Sequence, residues 1–339
     1  MWRGLSVLSS LGLFTYAPAM MLPQDKTGKV SYPANNPIED RFVSKKLKSF
    51  NARCSAVFDG HGGWQISDFL YHNIIQTIED NYKLVKSDPK KSVHTILEKS
   101  FDSLEERIVN AARDSYKMGF ANVASTGSCA IVAIVFEDLY AVANAGDCQA
   151  VLVKQVEGQV IGENICEVHS SNLPSEQEKL ARAHPGEPDI VRCKHRDACY
   201  VKGRLMPTRA FGDLGLKHDE FNNPRQLDMT HGFRRSRIQK FTGPYITHKP
   251  DIKVRKIEEG DKFIILASDG LWDEMSEQEA AALIYSIDDP KEAAEKLLQS
   301  ALDIAANKRG MSKVTMGQLP LGIRRSYHDD ITIVVVPLK

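Results

Sequence analysis

Apolar residues recur every three or four positions along two consecutive stretches in the first third of the chain. The stretch 64–82 is near helical period, and the stretch 92–112 carries a clearer series at Val93, Leu97, Phe101, Leu104 and Ile108. This spacing puts the apolar side chains on one face of a helix. The pattern predicts two long amphipathic helices that follow a short apolar strand, "CSAVFDG", at 54–60.

Continuous apolar runs predict strands in the rest of the chain. Two runs within 126–155 are joined by Glu137 and Asp138, which predicts a β-hairpin. A second turn at 144–147 leads to a third run, and we expect an antiparallel meander because the connections are too short for crossovers. Two more strands are predicted within 261–273 and 329–338.

Further helices are predicted at 175–185, 276–287 and 290–310. Antiparallel strands combined with two separated helix pairs favour an α+β fold, in which helices cover the outer faces of a central β-sandwich. The irregular stretch 217–243 is rich in Asn and Arg, and we interpret it as an inserted surface loop or flap.

Composition is typical of an ordinary soluble globular protein. The 339 residues are 42% hydrophobic and 26% charged, and Lys plus Arg equal Asp plus Glu at 44 each. The lack of a basic excess argues against a general nucleic-acid-binding protein. No stretch is both long and apolar enough for a stable membrane span.

The six cysteines are scattered and form no CxxC pair, which argues against a zinc site. Cys54, Cys129 and Cys148 lie in or beside strand-like runs, where a free thiol behaves as a small apolar group. We therefore expect free cysteines and a reducing compartment.

The first twenty residues, "MWRGLSVLSSLGLFTYAPAM", contain no acid and one arginine. Three interpretations remain open for this segment. It is an organelle presequence, or a secretory signal peptide with Ala17-Pro18-Ala19 as its cleavage site, or an N-terminal tail.

Carboxylates stand at the edges of several apolar runs. They occur at five places, namely Glu39-Asp40, Asp59, Asp147, Asp269 and Asp329-Asp330. A single Asp before Gly usually marks a turn, but five acidic positions at strand ends can converge at one end of a sandwich.

Clustered carboxylates repel one another unless a cation neutralises them. Oxygen ligands without His or Cys favour Mg²⁺ or Mn²⁺, and two such ions can activate a water molecule and hold a phosphate. We expect Asp59 to bridge two ions, Gly60 to offer its carbonyl oxygen and His61 to protonate a leaving oxygen.

Six short motifs in this order resemble the metal-dependent type 2C (PPM) serine/threonine protein phosphatases. They are "PIEDRF", "VFDGHGG", "ANAGDCQAV", "RLMPTRAFGD", "FIILASDGLWDEM" and "HDDITIVVV". Together they extend from about residue 30 to residue 338. The resemblance implies a four-layer α-β-β-α sandwich with a two-metal site, here a domain at 30–339 with a flap near 214–246, after an N-terminal segment at 1–29.

The resemblance also implies roles for individual residues. By the family pattern the core of the metal site consists of Glu39, Asp59, Gly60, Asp269 and Asp329. Asp40 resembles the second acid of the first motif, and Asp147 matches a residue linked to a third, weaker metal ion. His61 matches the general acid, and Arg209 matches a structural or site-adjacent arginine in the same motif as Asp213.

Two positions depart from the family pattern. Many members have a phosphate-binding arginine four residues before the glutamate of the first motif, and this chain has Asn35 there. The arginine of the common "GDSR" motif is also missing, because Gln149 occupies its place. Asn35 and Arg209 remain the expected substrate-binding residues.

Within the family the chain is most similar to the pyruvate dehydrogenase phosphatase branch. The similarity lies in "PANNPIEDR", "RLMPTRAFGDLGLK", "YITHKPDI" and "HDDITIVVV", although the segment between Gly270 and Asp329 is shorter than in that branch. This resemblance implies a mitochondrial location and a dehydrogenase complex as substrate. A cytoplasmic or secretory location is the alternative.

The leading hypothesis is a phosphatase that hydrolyses phosphoserine and phosphothreonine in proteins, as a monomer, with a regulatory subunit left open. A catalytically silent relative that binds phosphoproteins is the alternative, although such proteins typically lose metal-binding acids. A two-metal phosphodiesterase or nuclease is a third hypothesis, for which the basic stretch "FRRSRIQK" at 233–240 could be offered. The balanced charge counts against it.

Overall fold

The computed structural model describes residues 26–338, apart from residue 86, residues 196–197 and residues 223–236. Residues 1–25, most of the N-terminal segment expected at 1–29, lie outside the described residues. The middle of the flap expected near 214–246 also lies outside them.

The described strands form two antiparallel sheets and a small hairpin. They are β1 (Gly28–Tyr32), β2 (Arg41–Lys46), β3 (Arg53–His61), β4 (Gly127–Val135), β5 (Leu139–Ala145), β6 (Gln149–Val156), β7 (Gln159–Asn164), β8 (Val191–Cys193), β9 (Cys199–Val201), β10 (Phe211–Gly212), β11 (Asp251–Lys256), β12 (Asp261–Ala267) and β13 (Ile331–Pro337). The first sheet has the order β1-β13-β12-β6-β7, and the second has the order β11-β5-β4-β3-β2 with β10 paired to β4. Strands β8 and β9 form a separate two-stranded sheet.

The described residues form eight α-helices, several of which begin after a side chain that caps them. They are α1 (Gln65–Val85), α2 (Pro89–Lys117), α3 (Pro174–Ala183), α4 (Leu214–Lys217), α5 (Asp269–Trp272), α6 (Glu277–Ile284), α7 (Pro290–Lys308) and α8 (Lys313–Gly317). Helix α2 begins at a proline after Asp88, whose side chain accepts a hydrogen bond from the Lys90 N–H. Ser276 and Glu279 form a capping box at the start of α6. Such residues satisfy backbone donors that have no partner inside the helix.

Three layers of apolar contacts hold the sheets and helices together. Helices α1 and α2 pack on the outer face of the second sheet, for example through Leu70 and Phe101. Helices α6 and α7 pack on the first sheet, for example through Leu297. Between the sheets lies a third cluster that includes Ile131 and Leu266. Because side chains alternate along each strand, one strand serves two layers. This arrangement confirms the predicted α-β-β-α sandwich.

The predicted meander within 126–155 is wrong in its third strand. β4 and β5 form the expected hairpin, but β6 pairs with β12 in the other sheet. The Nδ2 of Asn144 donates to the carbonyl oxygens of Gly146, Cys148 and Glu167 at 3.1, 3.0 and 2.9 Å, and these bonds fix the turn where the chain changes sheets. A short turn can join strands of one sheet or of two facing sheets, so the apolar pattern alone does not decide between them.

The expectation of free thiols holds for Cys54, Cys129 and Cys148, which are buried and unpaired. It is wrong for Cys193 and Cys199, which lie opposite each other on β8 and β9 and form a disulfide. Their partnership depends on a hairpin that the apolar pattern did not indicate.

No helix in the part of the chain that the structure describes combines the length and the apolar character needed to cross a membrane.

Candidate active site

Carboxylates from both sheets meet at one end of the sandwich. Glu39 precedes β2, and Asp59 lies near the end of β3, in the second sheet. Asp269 follows β12, and Asp329 precedes β13, its neighbour in the first sheet. Asp147 lies in the turn that crosses from one sheet to the other. In antiparallel sheets the end of one strand lies beside the start of the next, so acids that are distant in sequence share one edge.

These residues line one cavity of about 540 Å³. The expected site residues found on its wall are Glu39, Asp59, Gly60, His61, Asp147, Asp269 and Asp329. Asp59, Asp147 and Asp269 come closest together, with one carboxylate oxygen from each within 4.8 Å of the others. Such a distance suits oxygen atoms that share a cation.

Removal from water and mutual repulsion make these acids costly to ionise. Burial, followed by the charges of neighbouring carboxylates, raises the pKa of Asp59 and of Asp269 well above the ordinary value. Burial also raises the pKa of Asp147, and it raises that of Asp329 to about 6 although the Arg325 guanidinium opposes it. Opposite charge nearby would favour the ionised forms.

The donor set fits a hard divalent cation. The Oδ1 atom of Asp269 is buried and has no hydrogen-bond partner in the described part of the chain. An unpaired buried carboxylate oxygen is expensive, and coordination of a cation is one way to satisfy it. Among the described residues, the cavity wall carries several further carboxylate oxygens and no imidazole apart from His61. The Cys129 thiol, which also lines it, donates to the Asp147 Oδ1 at 3.1 Å, so the donor set favours Mg²⁺ or Mn²⁺ over zinc.

Glycine at position 60 allows two strands to approach each other at the cavity. A Cβ atom built on Gly60 would lie 2.5 Å from the backbone oxygen of Glu39 and 2.8 Å from the Oγ of Ser67. Any larger residue would therefore push Glu39 away from β3. The close approach keeps the Glu39 carboxylate and the Asp59 carboxylate on the same wall.

His61 is held by a carboxylate from a distant part of the chain. Its Nε2 lies 2.6 Å from the Oδ2 of Asp213, which is nearly fully buried. Burial alone would lower the pKa of His61, but the Asp213 charge and hydrogen bond, together with the charges of Asp147 and Glu39, outweigh it, and the pKa is raised. The imidazole is thus stabilised in its protonated form, as a proton donor requires.

Gly127 makes room for this pair. It lies opposite His61 in the pairing of β3 with β4. A Cβ atom at this position would lie 1.9 Å from the Oδ2 of Asp213 and 2.4 Å from the Nε2 of His61. A side chain there cannot coexist with the hydrogen bond, so glycine at 127 is a condition for the orientation of His61.

Three of the expected site residues do not line the cavity. The Oδ2 of buried Asp40 accepts a hydrogen bond from the Ser268 Oγ at 2.7 Å. The side-chain amide of Asn35 donates to Asp330 at 3.0 Å and to Asp329 at 3.4 Å. The Nη1 of Arg209 donates to the Lys249 carbonyl oxygen at 2.8 Å. These residues support the surroundings of the cavity.

Asp330 is a buried residue to which the sequence analysis assigned no role. Its Oδ1 accepts from the backbone N–H groups of Ala34 and Asn35 at 2.6 and 2.9 Å, and its Oδ2 accepts from the Glu39 N–H at 2.8 Å. These bonds hold the segment that carries Glu39 against β13. The pair of adjacent acids Asp329-Asp330 could have indicated this role, because neighbouring residues in an extended chain point to opposite sides, and here Asp329 faces the cavity while Asp330 faces away from it.

Sequence reasoning also missed Asp273 and Arg325, which line the cavity, and the pairing of Asp213 with His61. Arg325 lies four residues before Asp329 and forms an ion pair with it. A basic residue so close to a candidate ligand was visible in "RRSYHDD". The His61–Asp213 contact joins residues 152 positions apart and left no local signal.

Comparison with known proteins gives a consistent result. The family model described as "Protein phosphatase 2C" matches residues 35–310. "Probable protein phosphatase 2C 67" from Arabidopsis thaliana is 32% identical, with 99% of this chain and 87% of that protein covered. "Probable protein phosphatase 2C 48" from the same plant is 34% identical, with 89% and 78% covered.

Solved structures share the fold. The serine-threonine phosphatase 2C from Toxoplasma gondii superposes with a TM-score of 0.64 at 17% identity, over 92% of this chain and 94% of that one. A sex-determining protein from C. elegans superposes with a TM-score of 0.65 at 22% identity, over 92% of this chain and 64% of that one. At these identities the similarity concerns the fold alone.

Replacement of Asp213 tests the electrostatic coupling to His61. The Asp213→Asn variant loses the charge that raises the pKa of His61, so we expect a lower pKa and an imidazole that becomes neutral at lower pH. The measurement is an NMR titration of the histidine ring signals in the presence of a chelator. Asp102→Asn is a matched control, because Asp102 pairs with His248 at 2.8 Å instead. An unchanged His61 titration in Asp213→Asn would contradict this account.

Proposed function

This chain belongs to the protein phosphatase 2C family of protein serine/threonine phosphatases, and we propose that it hydrolyses phosphoserine and phosphothreonine through the carboxylates described above. The observation that carries the proposal is the group of Asp59, Asp147 and Asp269, whose oxygen atoms lie within 4.8 Å of one another beside His61. A phosphatase needs both cation ligands and a proton donor at one place, and this cavity offers both.

We assign two divalent cations, Mg²⁺ or Mn²⁺, to this cavity. The residues that would hold them are Glu39, Asp59, Asp269 and Asp329, together with the carbonyl oxygen of Gly60. Asp147 is the residue for a third ion. When bound, such ions supply positive charge to the phosphate and lower the pKa of a water molecule. These carboxylates would hold the ions, and the raised pKa values of Asp59 and Asp269 show that a nearby positive charge would favour their ionised forms.

His61 is the proposed general acid. Its Nε2 is engaged by Asp213, so Nδ1 is the ring nitrogen left to donate. Water attacks phosphorus, the bond from phosphorus to the serine or threonine oxygen breaks, and a proton from His61 neutralises that oxygen. Asp213 stabilises the protonated imidazole and keeps its ring in one orientation.

The catalytically silent alternative has no support. Catalytically silent relatives typically lose cation ligands, whereas Glu39, Asp59, Asp147, Asp269 and Asp329 all line the cavity. The curated relatives carry the description of probable phosphatases. The nuclease hypothesis relied on the basic stretch at 233–240, half of which lies outside the described residues.

A dehydrogenase complex in mitochondria is the finer proposal for the substrate. Its support is the similarity of "PANNPIEDR" and "YITHKPDI" to the pyruvate dehydrogenase phosphatase branch. We expect faster phosphate release from a phosphorylated dehydrogenase subunit than from a phosphothreonine peptide of the same sequence, because docking outside the cavity adds binding energy. Equal kcat/KM values for the two substrates would remove this support.

The proposed function predicts metal-dependent phosphate release from a phosphothreonine peptide. We expect activity with Mn²⁺ or Mg²⁺ and none with excess chelator. Asp59→Asn and Asp269→Asn should each lose more than about a hundredfold in kcat, because even the partners of metal ligands are typically worth 10–100-fold.

Asp303→Asn serves as a matched control, since Asp303 is exposed, pairs with Lys313 and lies outside the cavity. It should keep full activity. Binding of Mn²⁺, followed by calorimetry, should weaken in the two cavity variants and not in the control. A folded wild type that binds Mn²⁺ without releasing phosphate would contradict the proposed function.

Replacement of His61 predicts a dependence on the leaving group. In His61→Ala the kcat for a phosphothreonine peptide should fall by about 10²–10⁴-fold, the usual contribution of a general acid. Hydrolysis of p-nitrophenyl phosphate should fall much less, because p-nitrophenolate leaves without protonation. His72→Ala, at an exposed histidine on α1, is the control. Equal losses with both substrates would rule out a proton-donor role.

A further inference from the structure

The lining of the cavity is dominated by negative charge. Six carboxylates lie on its wall, from Glu39, Asp59, Asp147, Asp269, Asp273 and Asp329. Two divalent cations would offset four of these negative charges and a third would offset all six, but a phosphorylated side chain brings about two more. Binding of the phosphoryl group therefore calls for a positive side chain of the protein itself.

Two arginines, Arg204 and Arg325, line the cavity among the described residues. Arg204 already takes part in an interaction within the protein. Arg325 has one partner in the described part of the chain, Asp329, whose Oδ2 lies 2.5 Å from its Nη2. A guanidinium group carries five N–H donors, so Nε and Nη1 of Arg325 keep donors without a protein acceptor.

The neighbouring Arg324 shows how a purely structural arginine differs. Arg324 is buried, donates to the carbonyl oxygens of Pro33, Gly317 and Leu319, and lies over the ring of Tyr32. The side chain of Arg325 is half exposed at the cavity and donates to no carbonyl oxygen of residues 26–338 that the structure describes. The ion pair of its Nη2 with Asp329 holds the Arg325 guanidinium beside the acids and leaves Nε and Nη1 to donate to a ligand.

Asn35 is not available for the same task. Both contacts of its side-chain amide are to carboxylates, those of Asp329 and Asp330, and its backbone N–H donates to Asp330. Asn35 does not line the cavity. It therefore orders the acids, and a substrate phosphate must find its donors elsewhere.

We propose that Arg325 binds the phosphoryl group of the substrate through Nε and Nη1 while Nη2 retains Asp329. The planar fork of a guanidinium matches two oxygen atoms of a phosphate. This proposal rests on the proposed function, since it concerns the substrate of the same cavity. It gives the chain its own phosphate-binding residue in the segment between α8 and β13.

The test compares Arg325→Ala, Arg325→Lys and the control Arg113→Ala in the full chain loaded with Mn²⁺. Arg113 is a partly exposed arginine that pairs with Glu220 outside the cavity. The first readout is the Kd of inorganic phosphate by calorimetry. A hydrogen bond to a charged group is worth about 1.5–3 kcal/mol, so Arg325→Ala should weaken phosphate binding by about 10–100-fold. Arg325→Lys should weaken it less, because it keeps a point charge.

The second readout is KM for a phosphothreonine peptide, which should rise in parallel with the phosphate Kd, whereas Arg113→Ala should change neither. The third is Mn²⁺ affinity, which separates substrate binding from positioning of Asp329. A phosphate Kd unchanged in Arg325→Ala would overturn the proposal, as would a loss fully restored by saturating Mn²⁺. An inactive wild type whose phosphate binding still depends on Arg325 would refute the proposed function and leave this assignment standing.

Discussion

Repulsion among carboxylates at one end of the sandwich is the constraint around which this molecule is built. Asp59 and Asp269 come from different sheets, and burial raises the pKa of both. The charge of Asp59 raises the pKa of Asp269 further, and the charges of Asp40 and Asp147 do the same for Asp59. A chain without a function for these acids would gain stability by replacing them with apolar residues. Apolar contacts offset this cost in free energy. They form one layer of side chains between the sheets and two helical layers outside them, and they fix the backbone.

The acids are kept in place by contacts that face away from the cavity. Asp330 binds three backbone N–H groups of the segment that precedes β2, and Ser268 binds Asp40. Close approach of backbones completes this support. A Cβ atom on Gly270 would lie 2.1 Å from the Asp330 carbonyl oxygen. The cavity residues are therefore positioned by neighbours with fixed partners, which is the arrangement that a preorganised site requires.

Much of the fold and of the site could be predicted from the periodicity of apolar residues and from the place of acids at strand ends. The helices α1, α2 and α7 and the layers followed from local patterns, since an apolar face must be buried against something. The change of sheet at β6 did not follow from local patterns, because a short turn can join strands of one sheet or of two facing sheets. Contacts such as His61–Asp213 and Cys193–Cys199 are decided by tertiary geometry, as is the choice between Arg324 and Arg325. Arg324 and Arg325 are the same type of residue, and they differ only in the surroundings that the fold gives them.

The division of the acids between two sheets links occupancy of the site to stability of the fold. Asp329 shows the direction in which its ionisation changes the stability of the fold. Its pKa is about 6 in the folded protein, against about 3.9 for an unperturbed aspartate. Without a cation, this residue therefore costs stability as the pH rises from about 4 to about 6, because ionisation is harder in the folded state. A cation that binds only the folded arrangement removes that cost and adds its own binding free energy. It would also join Asp59 of the second sheet to Asp269 of the first. An ion held by both sheets would therefore tie the stability of the interface between them to occupancy of the proposed site.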